Sequence, residues 1–512
     1  MPNNTATVVG EAIKVALSSP AAGGIVNESV PVWSHQLHFE GASYISPHFD
    51  QFDLPEGAVV VVRSPDGQRS HSYTGRGNAM ANSRGFWGIH IAGDSAVIEL
   101  FSTVPVSAGA VTIDRYARGF ENFHDLEPYA DDWATKAICG SDDSQWAKCY
   151  ESSENTIYNL SRPVARLLIN GTGACTGWLV GSEGHLMTNH HCIDSDSDAA
   201  NTNYEFMAEG SSCSTNCASW GACSGTVVSG ASLVKANNNY DYALVKLSSN
   251  VSDQYGYLQL RASGAVLNEQ IYIPQHPQAW GKRIAVDAGS SPATVTTLNA
   301  AGCGGPGPDV GYYADTQGGS SGSPVIARSD NLVVALHHCA NCANRGVNIQ
   351  DVINNLGSSL PASALPSTVG QIQFQLNTSK CLHKKYGNGN WSNGNPIHLW
   401  DCSAGESANK TWIYDENTGY IRGAENPSKC IHKKYGNWNN GNPIHVWDCS
   451  AGSADNKTWT YDSSTGYIRA ANNTSKCIHK KFGNGDWSNG NPVHLWDCSG
   501  GQAENKTFDI GQ

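Results

Sequence analysis

The stretch DTQGGSSGSPVI (315–326) sets three serines, Ser320, Ser321 and Ser323, in a glycine-rich turn that runs into an apolar strand. At most one of them can act as a nucleophile. A serine hydroxyl is a poor nucleophile at neutral pH and needs a neighbouring imidazole, itself oriented by a carboxylate. It also needs backbone N–H groups for the developing oxyanion, and glycines let backbone come that close. The chain offers these parts in the order His, Asp, Ser: TNHHC (188–192), NYDYALVKL (239–247) and GGSSGSP (318–324).

A chain of 512 residues is too long for a single core. Its net charge of −13 argues against nucleic acid as a partner, and no apolar run reaches the length of a membrane span. With 54 Gly and 15 Trp against 4 Met, the composition suits a turn-rich β-protein. There is no cysteine before Cys139, then ten from Cys139 to Cys342 and six from Cys381 to Cys498. That usage, with sequons such as Asn159-Leu-Ser and Asn170-Gly-Thr, points to an oxidising compartment. MPNNTATVVGEAIKVALSSP lacks a basic start and a long apolar stretch, so a secreted chain is expected whose leader lies outside this sequence.

The expected fold is all-β. Residues 1–136 read as short strands between turns, for example GAVVVVRSPDG (57–67) and GDSAVIELFS (93–102), and predict a sandwich-like propeptide or accessory domain. Residues 137–356 stay β-rich and predict a sandwich or barrel. GSSLPASALPSTVG (357–370) has the composition of a linker. Residues 371–512 hold a threefold repeat opening with KCLHKKYGNGNWSNGNPIHLWDCS (380–403), KCIHKKYGNWNNGNPIHVWDCS (429–450) and KCIHKKFGNGDWSNGNPVHLWDCS (476–499). Two cysteines per unit suggest the bridges Cys381–Cys402, Cys430–Cys449 and Cys477–Cys498.

Over residues 139–356 the chain resembles the chymotrypsin-like serine peptidases, which implies a double β-barrel. The resemblance selects His191, placed before a bridged cysteine, and implies a Cys175–Cys192 disulfide. It selects Asp241 ahead of its apolar strand, and Ser321 from G-x-S-G-x-P, with Gly319 and Ser321 supplying oxyanion N–H groups. His190, His337 and His338 read first as packed or loop histidines. Ser320 stands where animal enzymes carry an activating aspartate, so GSSGSP looks like the bacterial-type branch that includes lysyl and glutamyl endopeptidases. CANC (339–342) reads as disulfide cysteines rather than a redox or metal motif, with Cys139–Cys342 and Cys303–Cys339 as expected pairs. No metal or organic cofactor is required.

Asp315 lies six residues before Ser321, where trypsin-like enzymes place the floor of the P1 pocket, and Thr316 follows it. A Lys/Arg preference is the leading expectation. A Glu preference through His337 and a structural aspartate satisfied by loop N–H groups are the alternatives. With Lys/Arg selectivity, KAICG (136–140) suggests self-cleavage after Lys136.

The repeats resemble the ricin B-type β-trefoil lectins, which implies a shared core of Trp412, Trp459 and Phe508. The family's sugar-stacking aromatic corresponds to Trp400, Trp447 and Trp496, and its asparagine to Asn409, Asn456 and Asn505. Its aspartate and glutamine are replaced in every unit by histidines: His383 and His398, His432 and His445, His479 and His494. The final glutamine becomes Lys410, Lys457 and Lys506. With 14 Lys+Arg against 12 Asp+Glu in residues 371–512, and pairs such as Lys384-Lys385, an anionic glycan is one expectation and a general adhesion module another. The whole reads as a secreted serine endopeptidase acting on proteins or peptides, localised by a glycan-binding module. The alternative is an adhesin or toxin whose peptidase-like domain is inert.

Overall fold

In Ala58–Arg63 (AVVVVR), buried and half-buried residues alternate along the strand, because successive side chains point to opposite faces and one face packs on a core. The strand belongs to the sheet Trp33–His38, Ser95–Ser102, Ala58–Arg63, Ser70–Tyr73. This faces a second sheet built on Gly10–Ser18, Val111–Gly119, Tyr44–Phe52 and Phe86–Trp87, with Phe49, Phe52, Tyr73 and Phe86 filling the space between. The N-terminal domain is therefore a β-sandwich.

The computed structural model describes residues 6–23, 30–78, 80, 85–121, 138–220, 222–303, 307–387, 389–416, 418–483 and 485–511. The cut suggested after Lys136 lies outside them. The chain divides into two units, 1–364 and 365–512.

Two antiparallel sheets follow the sandwich in the first unit. One runs Thr226–Ser229, Thr202–Phe206, Val164–Ile169, Gly173–Val180, His185–Thr188, Tyr242–Leu247, Ala231–Asn237. The other runs Gln145–Trp146, Arg283–Ala285, Ile271–Gln275, Pro324–Ala327, Val333–Cys339, Asn344–Asn348, Asp309–Tyr312, Val295–Ala300. Each encloses its own apolar core, the arrangement of a chymotrypsin-like pair of half-barrels.

The sandwich is joined to the first half-barrel. The Tyr44 hydroxyl donates to the Gly171 carbonyl at 2.8 Å, and the backbone N–H groups of Trp87 and His90 donate to Asn201 and Asn203, both at 2.9 Å. At the chain's start, Thr7–Val8 adds an edge strand to Gly173–Val180, with Thr7 opposite Ala174. Val9, Tyr44, Trp87, Leu168, Ala174 and Trp220 share one buried cluster.

The stretch read as a linker is ordered on both sides of the division. Ala362 accepts from Ser182 N at 2.9 Å and Ala364 from Leu260 N at 2.8 Å, so residues up to 364 finish the first unit. Ser367–Phe374 is already a strand of the second.

That second unit is a trefoil. Trp412, Trp459 and Phe508 lie at its centre, each at most 1 % exposed. Its three units clasp one another in a ring. Gly394 N donates to Val446 O and Val446 N to Asn395 O, and the same reciprocal pair links Gly441 and Asn442 with Leu495, and Gly490 and Asn491 with Leu399, all at 2.8 Å. The three glycines have φ of +88°, +90° and +94°, which a β-carbon would strain.

Candidate active site and glycan-binding face

His191 lies in the turn after His185–Thr188, and the neighbouring Cys192 is bridged to Cys175 in Gly173–Val180. Asp241 precedes Tyr242–Leu247 with φ of +40°, a conformation uncommon for a residue with a β-carbon and held here by its contacts. Its carbonyl accepts from Asn189 Nδ2 at 2.8 Å. Asp241 Oδ1 accepts from the His191 backbone N–H at 3.0 Å, and Oδ2 lies 2.8 Å from His191 Nδ1. A carboxylate oxygen only accepts, so Nδ1 of His191 carries a proton and the ring is oriented by Asp241. Burial opposes the charge on Asp241, but His191 and His338 outweigh it and hold the carboxyl far below the ordinary range.

The three serines separate by environment. Ser320 and Ser323 are fully buried, and the turn uses both hydroxyls: Gln317 N donates to Ser320 Oγ at 3.2 Å, and Ser323 Oγ donates to Ser320 O at 2.6 Å. Ser321 alone is partly exposed. Its carbonyl accepts from Thr176 N at 2.8 Å, while Thr176 Oγ1 donates to Gly319 O at 2.9 Å, so one threonine pins both sides of the turn. Gly319 and Gly322 have φ of +90° and +88°, and a β-carbon on Gly322 would lie 2.1 Å from the Thr176 carbonyl.

Asp315 is not a free pocket floor. It is 2 % exposed, Oδ1 accepts from Cys139 N at 2.9 Å, and Oδ2 accepts from Asp143 N at 2.8 Å. Burial pushes its carboxyl up, against the pull of those two amides. The geometry suits the structural account of Asp315, a loop aspartate satisfied by backbone N–H groups and anchoring residues 139–143. Thr316 beside it is 1 % exposed. His337 is equally buried, its Nδ1 lies 2.8 Å from the Tyr312 hydroxyl, and burial pushes it down to about 3.

His338, first read as a packing histidine, is a member of the cluster. Its Nδ1 lies 3.2 Å from Asp241 Oδ2 and its Nε2 lies 3.0 Å from Asp309 Oδ2. Burial would lower it, but the two carboxylates push it up to about 9. The available signal was the doublet in ALHHC. Adjacent residues of a strand face opposite ways, so one of the two had to face away from the pocket side.

All sixteen cysteines are paired. Besides Cys175–Cys192, the structure joins Cys139–Cys342, Cys303–Cys339, Cys381–Cys402, Cys430–Cys449 and Cys477–Cys498. Cys149–Cys213 and Cys217–Cys223 are two pairs that spacing had left open. Among the described residues, one metal-like grouping is found, Cys175, His191 and Cys192, and both of its sulfurs belong to the disulfide. Also among these residues, no helix is long and apolar enough to cross a membrane.

On the trefoil, each unit builds a ladder of three rings. His383 Nδ1 lies 3.2 Å from His398 Nε2, and Trp400 stacks beside His398 with centroids 5.2 Å apart. His445 and Trp447, and His494 and Trp496, repeat the stack at 5.2 and 5.1 Å. His432 and His479 turn Nδ1 to the carbonyls of Lys433 and Lys480. Asn409 and Asn505 are buried, and Asn456 accepts from Lys433 Nζ at 2.6 Å. Desolvation lowers all six histidines, with His383, His398, His445 and His494 at about 4.

The lysines divide. Lys384, Lys433 and Lys480 are fully buried, with their ammonium groups 4.8, 4.2 and 4.5 Å from the ring centroids of Trp391, Trp438 and Trp487. Lys410, Lys457 and Lys506 turn inward to loop carbonyls such as Ala404, Ala451 and Gly500, each at 2.9–3.0 Å. Only the second lysine of each pair, Lys385, Lys434 or Lys481, faces solvent. Of the 14 Lys and Arg in residues 371–512, the six buried lysines turn inward, so the cationic surface is smaller than the sequence count suggested.

Fold and sequence together define the class: a trypsin-like peptidase domain, matched over residues 175–336, combined with a ricin-type beta-trefoil lectin domain, matched over 417–512. The chain belongs to the family of "Secreted RxLR effector protein 73" of Plasmopara viticola. It is 44 % identical to that protein over 335 residues, covering 63 % of this chain and 82 % of the relative. Among solved structures it is similar to the Rv3671c protease in its inactive form (15 % identity, 41 % of this chain and 95 % of that one, TM-score 0.31). It is also similar to a Glu endopeptidase in complex with MPD (16 % identity, 44 % and 99 %, TM-score 0.30).

Proposed function

We propose that this protein is a secreted serine endopeptidase whose trefoil holds it at glycan-bearing surfaces. The observation that carries the reading is the hydrogen-bonded pair His191–Asp241 combined with Ser321, the one accessible serine of a turn held open by Gly319 and Gly322. In this reading the Ser321 hydroxyl attacks the scissile carbonyl while His191 Nε2 takes its proton, and Asp241 keeps the imidazole in the accepting tautomer. The N–H groups of Gly319 and Ser321 hold the oxyanion, and His191 returns the proton to the leaving amine. Water then repeats the sequence on the acyl-enzyme. Secretion is supported by the eight disulfides and by the relative whose name describes it as secreted.

For the trefoil, Trp400, Trp447 and Trp496 are assigned the sugar-stacking role. The histidine pairs act there as neutral hydrogen-bonding groups in place of a carboxylate. A glycan array with no signal above an unrelated trefoil would remove this part of the reading.

The deciding experiment is cleavage of a mixed peptide library by wild type and Ser321→Ala, read by mass spectrometry, with fluorophosphonate labelling of both. Cuts and label that vanish in the variant support the enzyme. Silence of the wild type in both assays leaves the inert, glycan-binding alternative. The library also reads the residue before the cut, and so separates Lys/Arg from Glu preference.

A further inference from the structure

We propose that His338, held between Asp241 and Asp309, is a positioning residue for the triad: a fixed cation that orients Asp241 and lets His191 keep accepting protons at lower pH. This rests on the peptidase reading above.

The argument is one of donors and acceptors. Nδ1 of His338 faces Asp241 Oδ2 at 3.2 Å and Nε2 faces Asp309 Oδ2 at 3.0 Å. Ionised carboxylates only accept, so two of them require two N–H groups on one ring, which means an imidazolium. The ring and both carboxylates are buried, at 4 %, 8 % and 4 % exposure, so solvent screens the charges little. A carboxylate on either side of a buried imidazolium also compensates its desolvation.

The position matters because Asp241 Oδ2 is the oxygen that also bonds His191 Nδ1, at 2.8 Å. Two imidazoles therefore share one acceptor atom, and the cation of one weakens the pull of Asp241 on a second proton at the other. The titratable groups around the His338 ring come from three directions: Asp241 and, across Oδ2, His191; Asp309 from Asp309–Tyr312; and His337 next in the same strand, its Nδ1 on Tyr312. A neutral hydroxyl or amide at 338 could orient Asp241 but would supply no charge.

The test compares pH profiles of kcat/KM for wild type, His338→Gln and the double variant His338→Gln/Asp309→Asn, with nitrogen NMR of the histidine rings in the full chain. The double variant replaces the ion pair by a neutral hydrogen-bonded pair, and so guards against a fold broken by an orphaned Asp309. In wild type, His338 is expected to keep both ring protons from pH 5 to 8. In His338→Gln the acidic limb of kcat/KM should move up by about one pH unit with KM unchanged, and in the double variant it should move the same way by less, because the lost charge of Asp309 offsets part of the lost cation. A His338 that loses its second proton below neutrality, or an acidic limb that stays in place while only thermal stability falls, would overturn the inference in an active enzyme. A wild type inert to peptides and to fluorophosphonate would instead overturn the peptidase reading, and the positioning role with it.

Discussion

Asp315 shows how one residue type at a familiar spacing can serve two purposes. Six residues before the candidate nucleophile, a carboxylate is expected to wait for a basic substrate, yet both its oxygens are bonded to the amides of Cys139 and Asp143. No local pattern in DTQGG reveals this, because the donors lie more than 170 residues away. Asp315→Asn would set an NH2 group against one of those amides, a mismatch costing about 1–3 kcal/mol. The expected outcome is a lower melting temperature with an unchanged pattern of residues before the cut in the peptide library. Loss of cuts after Lys and Arg in that variant alone would restore the pocket role. GSSGSP singles out Ser321 as the candidate, and of the three serines it is the partly exposed one; the partner of Asp309 had no such signal, since Asp309 sits in a strand with no motif of its own.

At the scale of elements, the repeat made the trefoil readable: three copies of one pattern must form three copies of one structure. What the pattern concealed was direction. Lys384, Lys433 and Lys480 read as surface charge but lie under tryptophans, because a long aliphatic stem can bury itself when its ammonium group finds carbonyls such as that of Tyr386 at 2.7 Å. The histidine ladders make the strands that carry them sensitive to acid. In the unfolded chain an imidazole takes up its proton near pH 6.5, but His383, His398, His445 and His494 do so only at about 4 in the fold. Their folded values are depressed, so unfolding is coupled to proton uptake between the two. The contribution is complete above about pH 6.5 and is lost progressively as the pH falls through about 4. Thermal scans of the full chain should therefore show the trefoil transition dropping over that window. Replacing His398, His445 and His494 by Gln should flatten the drop.

Across the whole molecule, the alternating runs and cysteine usage announced three β-rich regions, but sequence alone could not reveal the long-range pairing of Thr7 with Ala174. That pairing brings the first described residues to the candidate active site. Ala6 packs against the cluster containing Cys175 and Cys192, and a β-carbon on Gly318 would lie 3.0 Å from the Thr7 hydroxyl. Removing residues 1–8, which spares the buried Val9, would bare the edge of Gly173–Val180 for an extended substrate. Turnover should rise several-fold for peptides that continue well past the cut and little for short ones. An equal change for both lengths would show that the strand supports the fold rather than occupying a substrate path. Glu205 is the buried centre of the same junction, bonded to Arg166 at 2.7 Å and 3.4 Å from His90 of the sandwich. Glu205→Gln should lower the melting temperature by loosening sandwich and half-barrel together, measurable as a single shifted transition. The trefoil, by contrast, is a closed ring: each unit grips the next by the same two hydrogen bonds, and Ile372 near its start pairs with Ile510 near its end. A ring of that kind has no privileged first member. A gene reordered to begin at the second repeat and run through the third into the first, with a short join between the old ends, encodes the same set of contacts.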